Sequence, residues 1–108
     1  MVIKDWNIEK MTGYKPLTTF YTDFSIADNF GEKAVKETYN RAFKEWKDNI
    51  KYVTELAMVL NWKIWEHFEY EGKRNLANLY DKLYWKTDEF ITNHFKGEDL
   101  EYYFRTTD

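Results

Sequence analysis

Wound as a helix at about 100° per residue, residues 50–70 put apolar side chains on almost every face of the cylinder. Ile50, Val53, Ala57, Leu60 and Ile64 form a seam with alternating steps of three and four, widened by Leu56 and Phe68. Met58, Trp62 and Trp65 make a second flank, and Tyr52, Val59 and Tyr70 a third. Only Lys51, Glu55, Lys63, Glu66 and Glu69 interrupt this coat. A helix apolar nearly all round must be covered on several sides. Such a helix is either the centre of its own fold or is sheathed by a partner.

The remaining periodicity is helical too. Pro16 opens a short helix, with Thr18 or Thr19 as its cap, in which Phe20, Phe24 and Ala27 recur and Gly31 provides a left-handed stop. Residues 32–47 carry Val35, Tyr39, Ala42, Phe43 and Trp46 on one stripe, with Lys36, Glu37, Asn40 and Lys44 facing away. Asp48 and Asn49 break that pattern or cap the next helix. After Gly72, residues 73–96 align Leu76, Leu79, Tyr80, Leu83, Tyr84, Thr87, Phe90, Ile91, His94 and Phe95, with Trp85 opposite among charges. A short final turn follows Gly97. With 4 Gly and 1 Pro in 108 residues, turn signals are too sparse for a hairpin-rich sheet. The expectation is an all-α fold: an antiparallel bundle of three long helices, a short N-terminal helix and a C-terminal aromatic segment. Residues 1–15 read as an N-terminal arm and 16–108 as a single helical domain.

Composition removes several functions. The chain lacks cysteine, which excludes a disulfide framework, a thiolate metal site and a thiol nucleophile. Its start lacks the apolar core of a signal peptide, and no apolar run approaches the roughly 20 residues that span a bilayer, so a cytoplasmic setting is expected. A net charge of -3 argues against nonspecific duplex binding. Lys73, Arg74, Lys82, Lys86 and Lys96 are diluted by Asp81, Asp88 and Glu89, a mixed solvated face rather than a basic stripe.

Catalytic and metal motifs are missing as well. The Glu-x-x-His pairs of a di-iron bundle would need glutamate where Ile64 and Ile91 stand. His67 and Glu71, one turn apart, fit an ordinary helical contact better than a shared metal. His94 falls on the apolar stripe and reads as a hydrogen-bonded core residue. Ser25, the one serine, lies mid-helix without a glycine elbow. No phosphate-binding loop occurs. No cofactor is expected and the chain does not read as an enzyme.

Aromatic residues make up 20% of the chain, including 5 Trp. Interface cores favour such rings. Trp62, Trp85 and Tyr103 are the candidate anchors for a protein partner, and Glu66, Glu69, Glu98, Asp99 and Glu101 the acids that would oppose a basic channel and speed association. A symmetric homodimer is the other use of such a surface.

As strings, YKPLTTFYTDFSIADNFG (14–31), ELAMVLNWKIWEH (55–67) and DLEYYFRTTD (99–108) resemble small all-helical proteins carried by phages and integrative mobile elements of Firmicutes. That group has no known catalytic motif, and the resemblance carries over no functional residue. It implies a setting in which small acidic helical proteins, anti-CRISPR proteins among them, inhibit a host defence nuclease by occupying its surface.

Overall fold

The computed structural model describes residues 16–107, which form five α-helices joined by short turns. They are α1 (Pro16–Asp28), α2 (Glu32–Trp46), α3 (Ile50–Trp65), α4 (Arg74–His94) and α5 (Gly97–Thr107). A π-helical segment, Glu66–Glu71, continues α3. Among the described residues no strand occurs, and no helix is long and apolar enough to cross a membrane. The arm expected over residues 1–15 lies outside the described residues.

Helix limits follow from local chemistry. Gly31 ends α1 with φ at 102°, and its N–H donates to the Ala27 carbonyl at 3.2 Å. The Asn49 side chain caps α3, accepting from the N–H groups of Lys51 at 3.1 Å and Tyr52 at 3.2 Å. Gly72, with φ at 67°, stops the π-helical segment by donating its N–H to the His67 carbonyl. Residues after Gly97 form a full helix, α5, rather than the short turn that the sequence suggests.

The coverage demanded by residues 50–70 is met from within the chain, because α3 packs against all four other helices and most extensively against α4. Val53, Leu56, Ala57, Val59 and Leu60 are wholly enclosed. One part of the core joins them to Phe20, Phe24, Val35, Tyr39, Leu79 and Tyr80. The other gathers Val53, Ala57, Ile91, Phe95 and Tyr103. Tyr39 donates its hydroxyl proton to Thr87 Oγ1 at 2.8 Å, since the Thr87 proton goes to the Leu83 carbonyl.

Several residues depart from their wheel positions. Lys63, read as a solvated interruption, is 0% exposed. His94, read as a core histidine, is about half exposed, stacked on Phe90 with Nε2 3.4 Å from Asp48. Phe68 does not widen the α3 seam. It lies in the open, with the Arg74 guanidinium 5.6 Å from its ring centre.

Candidate functional site

The most unusual chemistry lies where α3 passes into the π-helical segment, a kind of irregularity that recurs at functional positions. Here α3 contributes Lys63, the π-helical segment Glu66 and His67, α1 Tyr21, Ser25 and Asp28, and α4 Tyr80. The Lys63 ammonium donates to Asp28 Oδ2 at 2.8 Å, Glu66 Oε2 at 3.0 Å and Ser25 Oγ at 3.1 Å. Three N–H donors thus meet three acceptors, the condition under which a buried ammonium is tolerated. Asp28 Oδ2 also faces His67 Nε2 at 2.8 Å, and Asp28 Oδ1 accepts from the Tyr80 hydroxyl at 2.5 Å. Tyr21 donates to Glu66 Oε1 at 2.6 Å, and its ring centre lies 4.9 Å from the Lys63 nitrogen.

This arrangement tunes its members. Burial alone would pull the Lys63 pKa down, but hydrogen bonds to Asp28 and Glu66 and their charges outweigh it, and the net shift is upward. For Glu66, burial pushes the carboxyl up, yet the bonds from Tyr21 and Lys63 prevail and hold it below its ordinary 4.5. Tyr80 is raised by burial and then by the adjoining Asp28 carboxylate.

Ligand atoms of Asp28, Glu66 and His67 lie within 4.8 Å of one another, close enough in principle to hold a metal. The Lys63 ammonium already sits against two of these carboxylate oxygens, where a metal cation would be strongly repelled. The donor set therefore suits the lysine it contains. His67, which the sequence pairs with Glu71, turns instead across the fold to Asp28 and stacks on Tyr80, with ring centres 5.5 Å apart. Its buried Nδ1 has no hydrogen-bond partner.

Beside this network opens a groove of about 470 Å³, lined by Tyr21, Trp62, Trp65 and Glu66. Trp62 is 45% exposed and Trp65 54%. Of the acids picked out by sequence, Glu66 is engaged in the network and Glu69 is exposed on the π-helical segment. Glu98, Asp99 and Glu101 share a second groove of about 390 Å³, where Lys51 and Arg105 offset part of their charge. Trp85 is 57% exposed, edge-on to Tyr84, and lines neither groove. Tyr103, expected as an anchor for a partner, points inward at 1% exposure and donates to Asp88 at 2.6 Å. Its neighbour Phe104 remains exposed.

The sequence signal that could have revealed Lys63 is its spacing. It stands three residues after Leu60, seven after Leu56 and four before His67, on the flank that Leu56 begins. Asp28, four residues after Phe24, sits likewise at the edge of the apolar face of α1. Trp65 was placed on the right flank but not counted as an anchor. Comparison with protein families, with curated proteins and with solved structures finds no match to this chain.

Proposed function

We propose that this chain is a non-catalytic protein-binding module that acts by occupying a partner's surface, built as an antiparallel bundle of three long helices, α2, α3 and α4. The observation that carries this reading is the Tyr21–Trp62–Trp65 groove, where two exposed tryptophans stand beside a carboxylate fixed by a buried network. Tryptophan in a preorganised recess is the commonest kind of binding hot spot. Exposed Glu69 and the acids of the second groove supply a negative field that favours a basic partner. The resemblance to mobile-element proteins makes that partner a nucleoprotein defence enzyme, with a nucleic-acid channel as the blocked surface.

The test is capture from nuclease-treated Firmicute lysate that contains an intact CRISPR system, followed by a cleavage assay with the retained nuclease. Retention and inhibition, both lost in Trp62→Ala and Trp65→Ala, are the expected result. Recovery of the chain alone at twice its mass would replace this reading with a homodimer.

A further inference from the structure

We propose that the groove between α1 and the end of α3 is a guanidinium cleft that receives an arginine side chain of the partner protein. The inference rests on the protein-binding reading above and names what the site recognises. Its walls are aromatic: Tyr21 from α1, Trp62 and Trp65 from α3. Indole rings attract cations most strongly among side chains, and the flat guanidinium stacks on such rings while shedding its hydration more easily than an ammonium.

The polar end of the groove is Glu66, and its hydrogen-bonding capacity is half used. Oε1 accepts one bond from Tyr21 and Oε2 one from Lys63. An ionised carboxylate offers about four lone-pair positions, so each oxygen keeps one. Two adjacent acceptors of this kind match the paired N–H groups of a guanidinium fork. The Glu66 side chain is 27% exposed, enough to meet a ligand lying in the groove.

Charge points the same way. Asp28 and Glu66 place two carboxylates against the single Lys63 ammonium, leaving one negative charge when the His67 ring is neutral. Lys63 cannot serve the groove itself, because it is fully buried and its three donors are committed. An incoming lysine would bring a compact, strongly hydrated charge and use one acceptor at a time. An incoming arginine spreads its charge, fits the acceptor pair and covers the tryptophans.

The test titrates the intact, isotopically labelled chain with N-acetyl-arginine methylamide, alongside the lysine and norleucine counterparts, following the 5 indole N–H signals. The expected result is a saturable shift at Trp62 and Trp65 but not at Trp85, with arginine about tenfold tighter than lysine. Glu66→Gln should weaken the arginine response at least about tenfold. Because that change touches the Lys63 network, Trp65→Ala on the exposed wall serves as the second variant and should weaken it comparably. An equal response to norleucine would reduce the cleft to an apolar groove, an equal response to lysine would remove the guanidinium assignment, and no saturable shift would remove the site. Failure here, with Trp62→Ala still abolishing nuclease capture, would leave the protein-binding reading standing without the cleft. A selective arginine response with no captured protein would keep the cleft and remove that reading.

Discussion

At its C-terminal end α3 meets α1 and α4 through charged and hydroxyl groups, with Lys63 against Asp28 and Tyr80 beyond. At its N-terminal end it meets α4 and α5 through Val53 and Ala57 packed on Ile91, Phe95 and Tyr103. Apolar packing is non-directional and accepts alternative shapes at modest cost. A buried ammonium with three acceptors accepts one arrangement only, since every lost contact strands a charge. One end of α3 is therefore held by volume and the other by geometry, and the exposed aromatic groove lies beside the geometric end.

The largest break in this contrast should come from Lys63→Met. It leaves Asp28 and Glu66 facing each other without their cation, and should cost about 3–5 kcal/mol in chemical denaturation. A loss below about 1 kcal/mol would mean that the network behaves like a surface ion pair.

A pH series sharpens the same contrast. Glu66 is held below its ordinary 4.5, so the stability it contributes is present above that pH and lost as pH falls through its lowered value. Lys63 is held above 10.5, so its contribution is complete below that pH and lost as pH rises through the raised value. Tyr80 and Tyr103, both raised by burial above an ordinary 10.0, also weaken the fold on the alkaline side, one at each end of α3. The acid limb should therefore appear first in the indole signals of Trp62 and Trp65, and the alkaline limb across the whole spectrum.

Smaller effects belong to the apolar end. Tyr103→Phe removes the hydroxyl that donates to Asp88 and should cost about 2 kcal/mol. Ile91→Val should cost about 1 kcal/mol. Least of all, Trp62→Ala and Trp65→Ala should shift the denaturation free energy by no more than about 0.5 kcal/mol while abolishing partner capture. That separation of stability from binding is what a surface recess predicts, and a large loss of stability would place these rings in the core.

Much of the helical framework was legible because its punctuation is explicit: Gly31, Asn49 and Gly72 each mark a boundary by backbone angle or cap. The all-round apolar character of residues 50–70 likewise announced a helix that other elements must cover. The site was only half legible. Trp62 and Glu66 were picked out as single residues, but their grouping with Tyr21 depends on a contact spanning 45 positions. Lys63 was misread because a helical wheel scores a charge as solvated, and what permits its burial is Asp28 on another helix. Tyr103 was misread for the converse reason: α5 folds back and gives its ring an apolar site and an acceptor at Asp88.

The π-helical segment turns chain length itself into a specification. Its i→i+5 bonding accommodates one residue more than an α-turn does. Deleting a single residue between Glu66 and Glu71 would let the ladder close as ordinary α-helix, delivering the start of α4 about 100° further round the axis. Tyr80 would then arrive facing away from Asp28 and His67. Substitutions at exposed Phe68 and Glu69 should be absorbed with ease, whereas a one-residue deletion there should not. Among related chains this stretch is accordingly the place to look for drifting letters at a constant count.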